Sequence, residues 1–174
     1  MLKIVSGGQT GVDRAALDVA IEKSIPYGGW CPKGGWAEDP PKPPGLLAIY
    51  RELRETPIAD PHQRTAWNVR DSDRLLVLLD HRGLCSSGTE LAILRAHELD
   101  RPLLILDLDE EADIDRAAAW LSDRQQAQLK VCIAGPRESE APGIYAAATP
   151  FLRAVLDRVT LRERENHDAW RQDK

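Results

Sequence analysis

Cysteine is scarce in this chain of 174 residues: Cys31, Cys85 and Cys132 stand far apart. An odd count without close spacing argues against a disulfide framework and offers no zinc motif. The expectation is a cytoplasmic protein with reduced thiols. Long apolar runs are missing too. None approaches the roughly 20 residues that span a bilayer, and Gly7 to Asp13 interrupts the N-terminal segment before it can serve as a signal sequence. Positive charge is not in excess. The formal net charge is −5, so no bulk basic field invites nucleic acid. Internal repeats and low-complexity tracts are absent. Two common nucleotide fingerprints are absent as well. The spacing Gly7-Gly8-x-x-Gly11 departs from G-x-G-x-x-G, and no Gly-Lys-Ser/Thr follows, which excludes a P-loop.

What is present suits one globular domain with a proper core. Apolar residues make up 43% of the chain and charged residues 29%. Short apolar runs alternate with helical patterns. Strands are expected at Leu2 to Val5, Tyr27 to Cys31, Leu75 to Leu79, Leu103 to Leu106 and Leu129 to Ala134. Helices are expected at Val12 to Lys23, His62 to Asp71, Thr89 to Leu99, Asp113 to Asp123 and Ile144 to Val159. Pro32 to Gly45 is rich in Pro and Gly and reads as a loop. Leu75-Leu76-Val77-Leu78-Leu79 is apolar without a break, as in a strand buried on both faces. The expectation is an α/β fold of Rossmann-like, doubly wound type, with a mostly parallel sheet and helices on both faces. It occupies residues 1–160, with a polar extension over 161–174.

Ligands of such sheets bind beyond the carboxyl ends of the strands. The first exit is Ser6-Gly7-Gly8-Gln9-Thr10-Gly11, between a buried strand and a helix start that carries Asp13 and Arg14. Glycine lets the backbone approach a ligand, and the first helical N–H groups lack internal partners, so this stretch is either an anion cradle or a tight structural turn. A second exit runs from Asp80 to Glu90, where Ser86-Ser87-Gly88-Thr89 opens a helix. It is either a second anion site or simple N-capping by Ser86 or Ser87. Two helix N-termini on one sheet edge could grip one phosphate from both sides. At the last exit, Gly135-Pro136-Arg137-Glu138-Ser139, Arg137 can hold an anion bidentately or stand as a surface charge. Trp30, Lys33 and Trp36 sit among glycines, where a tryptophan can flank a heteroaromatic ring beside an anion or pack under a loop. Asp71, Asp73 and Asp80 can bind ligand hydroxyls or cap helices.

Three motifs carry a resemblance: Gly7-Gly8-Gln9-Thr10-Gly11-Val12-Asp13-Arg14-Ala15-Ala16-Leu17-Asp18, Asn68-Val69-x-x-Ser72-Asp73, and Gly135-Pro136-Arg137-Glu138-Ser139-x-x-x-Gly143-Ile144-Tyr145. They resemble the putative molybdenum carrier family, within the wider group of Rossmann-like nucleotide-binding proteins that includes the lysine-decarboxylase-like or LOG proteins. The resemblance implies a Rossmann-like fold, a homo-oligomer, and a phosphate-bearing ligand such as a nucleotide or the molybdenum cofactor. The LOG branch includes hydrolases that split nucleoside monophosphates into base and ribose phosphate. Arg64 matches their arginine, and Gly88-Thr89 matches their Gly-Thr. Their two glutamates correspond to Leu91 and Ala92, so both are absent here. Glu90 stands one residue early, turned by about 100° on a helix. A positioned acid or base is worth roughly 10²–10⁴ in rate, and Glu90, Asp13 or Glu138 would have to supply it.

Three functions follow as expectations. The first is a binding or carrier protein for a phosphorylated heterocycle, either molybdenum cofactor or a nucleotide. Its phosphate would lie on the amides of Gly7 to Gly11 and of Ser87, Gly88 and Thr89. Arg14, Lys33, Asn68, Arg137 and Ser139 would complement it, and Trp30 would flank the ring. No protein-ligated metal, nucleic acid or membrane partner is expected. The second is a nucleotide hydrolase with Arg64 and Glu90 as candidate catalytic residues. The third is a nucleotide-sensing module that signals through the polar end.

Overall fold

A computed structural model describes residues 1–80, 86–108, 111–123 and 127–172, with side chains up to residue 162. Residues 81–85, which include Cys85 and most of the second strand exit, lie outside the described residues. Six strands form one sheet: β1 (Leu2–Val5), β2 (Tyr27–Cys31), β3 (Leu53–Glu55), β4 (Arg74–Leu79), β5 (Leu103–Asp107) and β6 (Leu129–Ala134). The helices are α1 (Val12–Glu22), α2 (Leu46–Ile49), α3 (Pro61–Arg70), α4 (Ser87–Glu98), α5 (Glu111–Ser122) and α6 (Ile144–Gln172). Among the described residues every strand pairing is parallel, in the order β3-β2-β1-β6-β4-β5. The fold is therefore α/β, Rossmann-like and doubly wound, with the last strand of the chain inserted at the centre of the sheet.

Period-2 alternation divides each strand between two faces. Leu2, Ile4, Leu76, Leu78, Leu129, Val131 and Ile133 join α1, α5 and α6 in the larger core. Leu75, Val77 and Cys132 turn the other way, against Val69 of α3 and Ala92 and Ala96 of α4. This explains the unbroken apolar run of β4, whose Leu75, Leu76, Val77 and Leu78 are all fully buried. Each such side chain contributes roughly 1.5–3 kcal/mol on burial. A third cluster sits at the β2–β3 edge, where Leu17, Cys31, Leu46, Tyr50 and Leu53 pack under the Pro/Gly-rich loop.

Sequence periodicity gave no sign of α2 or β3. Each spans a single turn or three residues, too short for a period to show, and both are set by packing on Leu17 and Cys31. The polar end extends the last helix beyond Val159 as far as Gln172. No helix among the described residues is long and apolar enough to cross a membrane.

Candidate functional site

β1 crosses to β2 on one side of the sheet and β4 crosses to β5 on the other, with β6 between β1 and β4. A doubly wound sheet opens a crevice at such a reversal. A cavity of about 140 Å³ lies there, walled by the segments leaving β1, β4 and β6. Gln9 and Asp13 come from the first, Ser86 to Thr89 from the second, and Gly135, Arg137 and Glu140 from the third. Arg64 and Thr65 of α3 and Trp36 of the Pro/Gly-rich loop complete it.

Two glycines make this convergence possible. Gly11 has a φ of +79°, and a Cβ there would strike the Pro136 carbonyl and lie 2.8 Å from Arg137 Cα. Gly135 abuts the Leu78 carbonyl and Val12, with a Cβ only 2.6 Å from Val12 Cγ2. The β1, β4 and β6 exits therefore touch backbone to backbone, and Val12 N–H donates to the Pro136 carbonyl at 3.2 Å.

The cavity's charged pair is buried. Arg64 Nη1 donates to Asp13 Oδ2 at 2.7 Å, with side chains 15% and 6% exposed. Asp13 also accepts from the backbone of Gln9 and Gly7. Burial pushes its pKa up, while Arg64 and these two amides oppose the shift. The glycine loop thus folds around a carboxylate of its own chain. Thr10 N–H is likewise taken, by Gln9 Oε1 at 3.0 Å, and Glu38 N–H shares that acceptor.

The start of α4 is arranged differently. Ser86 is the N-cap, its Oγ accepting from Thr89 N–H at 3.1 Å. Ser87 and Gly88 are the first two helical residues, whose N–H groups have no intrahelical acceptor by geometry. They line the same cavity as Arg64 and Arg137, so the positive end of a helix and two guanidinium side chains, each paired with a carboxylate, border one space.

Glu38 and Asp39 bind the loops from outside. Glu38 accepts from Thr10 Oγ1 at 2.6 Å, from Ser139 Oγ at 2.5 Å and from Arg137 Nη1 at 3.3 Å. Burial raises its pKa, but the hydrogen bonds from Ser139 and Thr10 and the charge of Arg137 outweigh this and hold it below the usual range. Asp39 takes Arg14 bidentately, at 2.7 and 2.8 Å. Arg137 pairs with Glu140 as well, at 3.0 Å.

The expected site residues therefore divide. Gln9, Asp13, Arg64, Ser87, Gly88, Thr89 and Arg137 line the cavity together. Gly7, Gly8, Thr10, Gly11 and Ser139 build its surrounding loops. Arg14 lies elsewhere: it holds the Gly8 carbonyl at 3.0 Å and lines a neighbouring hollow with Tyr50 and Tyr145. Asn68 is buried and clasps the backbone of Trp30, accepting from its N–H at 2.7 Å and donating to its carbonyl at 3.0 Å. Trp30 lines a separate groove, with Nε1 donating to Asp71 at 2.7 Å. Asp73 bridges to the Lys130 N–H at 2.7 Å. Lys33 borders an adjoining hollow of about 360 Å³ that shares Trp36 and Pro61 with the cavity. Glu90 is exposed and does not line the cavity.

Of the two tryptophans weighed as ring-flanking candidates, Trp36 lines the cavity and Trp30 does not, while His62 and Glu140 line it without having been candidates. His62 carries a sequence signal in its place two residues before Arg64. Among the described residues, no three His, Cys, Asp or Glu side chains gather as a metal site.

Fold and site together define a Rossmann-like domain whose cavity lies at the switch point of a parallel sheet. The chain belongs to the circularly permutated YpsA SLOG family, whose profile matches residues 4–156. It is 41% identical to the solved putative molybdenum carrier protein from Syntrophus aciditrophicus SB, over 88% of this chain and 94% of that one, with a TM-score of 0.76. Among proteins of curated function there is no significant match.

Proposed function

We propose that the chain is a binding or carrier protein for a small molecule with a phosphate arm. The supporting observation is the convergence of Arg64, Arg137 and the first turn of α4 on one cavity. The arm would lie on the N–H groups of Ser87 and Gly88, flanked by the two arginines. A flat ring would extend past Trp36 into the adjoining hollow bordered by Lys33 and Pro61. Molybdenum cofactor and a purine nucleotide both have this shape, a flat heterocycle with an anionic arm. Molybdenum cofactor would be cargo, in keeping with the name carried by the Syntrophus relative. The cavity's donor set fits the phosphate of either ligand. Among the described residues it offers nitrogen and hydroxyl groups, beside the arginine-paired carboxylates of Asp13 and Glu140, and no thiolate lines it.

Thermal-shift titration with a panel of nucleoside monophosphates and pterin phosphates tests this reading. A ligand should raise the Tm of the wild type, and Arg137→Ala should weaken its binding at least about tenfold, the loss of one charge-assisted contact. A shift left intact by both Arg137→Ala and Arg64→Ala would refute the assignment.

One observation favours hydrolysis as a second reading. Asp13 and Arg64 are in contact on the cavity wall, a carboxyl and a guanidinium beside the space for the arm. Release of free base from a nucleoside monophosphate, abolished by Asp13→Asn but not by Glu90→Gln, would identify Asp13 as the acid or base.

A further inference from the structure

A second groove lies on the sheet face covered elsewhere by α3 and α4. Its volume is about 380 Å³, and it shares no lining residue with the cavity described above. Register fixes what it presents. Lys3 of β1 and Lys130 of β6 are direct partners in the ladder. They point to the face of Val5 and Cys132, opposite Ile4 and Val131. On β2 and β3, Trp30 and Arg54 are partners as well, and the Arg54 guanidinium stands 5.9 Å from the Trp30 ring centre. Gly28 leaves room for Lys3, whose Nζ would lie 3.3 Å from a Cβ there. Arg51 completes the rim.

This composition is unusual for its position. Strands of a doubly covered parallel sheet read as continuous apolar runs, yet β1, β6 and β3 each place a cation on the same face here. Lys3 and Lys130 stand side by side on strands about 4.8 Å apart, a spacing at which like charges repel. Among the described residues, no carboxylate forms an ion pair with Lys3, Arg51, Arg54 or Lys130, while nine other Lys and Arg side chains are ion-paired. Of the two acids on the rim, Glu52 and Asp71, the second is already held by Arg70 and Trp30.

We infer that this groove is a second binding site, for a small polyanion carrying two or more phosphate groups. Four cations around one concave space would neutralise several negative charges, and the Lys3–Lys130 repulsion would be relieved on binding. The groove is of small-ligand size. A nucleic acid is disfavoured because the surrounding protein carries net negative charge. The inference does not depend on the function proposed for the switch-point cavity.

Isothermal titration with inorganic tripolyphosphate at low salt tests it. The wild type should bind, and more weakly as salt rises. Lys3→Gln/Lys130→Gln should lose at least about tenfold in affinity, and Arg54→Gln, at an exposed position, should do likewise without risk to folding. The lysine double variant should also have a higher Tm than the wild type in the absence of anion. The same changes are also made in the Arg137→Ala background, where the switch-point cavity is weakened as a competing phosphate site, and there too the groove should bind tripolyphosphate and lose it with the lysine and Arg54 changes. Absence of heat with the wild type would overturn the inference. So would binding that, in the Arg137→Ala background, survives both the lysine and the Arg54 changes.

Discussion

Replacing Asp13 with Ala would remove one half of the buried pair at the cavity wall and test the account of that wall. The pair itself adds little net stability, because burial offsets much of the attraction to Arg64. Removing one partner is different. Arg64, 15% exposed, would keep its charge with no carboxylate beside it. The amides of Gly7 and Gln9 would lose their acceptor as well. Breaking a buried pair costs about 3–5 kcal/mol, and the residual exposure of Arg64 puts this case near 3. For a domain of this size, about 2–4 °C of Tm is lost per kcal/mol, so Tm should fall by about 6–12 °C. Asp13→Asn keeps an acceptor for the amides and should fall less. Adding Arg64→Met to Asp13→Ala should recover part of the loss. Differential scanning calorimetry of the four proteins measures all of this. A Tm for Asp13→Ala within about 2 °C of the wild type would mean that Arg64 finds water or another partner, and the buried pair would not organise the loop.

Gly11→Ala should cost several degrees of Tm, because a Cβ at its φ of +79° would strike the Pro136 carbonyl; an unchanged Tm would show that the β1 and β6 exits are not in contact. Cys31 and Cys132 should resist thiol labelling in the native protein, since burial pushes the first up to about 11 and the second higher still. Mass mapping after a short iodoacetamide pulse checks this, and rapid modification of either would contradict the burial. Glu38 has its pKa held below the ordinary 4.5, so its contribution is present above that value and is lost as pH falls through the lowered one. Glu38→Gln should therefore lower the urea midpoint at pH 7 and flatten its decline below about pH 4.5.

The strand, glycine turn and helix at the N-terminus were legible because each carries a local signal: four apolar residues, glycines in series, then a 3.6 period. The apolar run of β4 announced a strand buried on both faces for the same reason. The choice between Trp30 and Trp36 was not legible. Period 2 in β2 turns Trp30 onto the α3 face, whereas Trp36 reaches the cavity through a loop whose path depends on tertiary contacts. Arg14 follows Asp13 by one residue, which turns it about 100° around α1 and away from the cavity. Its partner Asp39 lies 25 residues on. Glu38 was invisible as a clamp because Thr10 and Ser139, its partners, stand 28 and 101 residues away. Sequence shows which groups could bind an anion but not which are already engaged by the chain's own acids.

Native mass spectrometry of the purified protein, followed by denaturing extraction and identification of what is released, tests the central claim most directly. The account predicts a phosphate-bearing heterocycle bound to the wild type and lost from Arg137→Ala. A pterin–molybdenum species would make the chain a carrier, and a nucleotide would direct attention to base release. A wild-type protein that emerges empty and shows no thermal shift with nucleotides or pterin phosphates would contradict the assignment of the switch-point cavity as a ligand site.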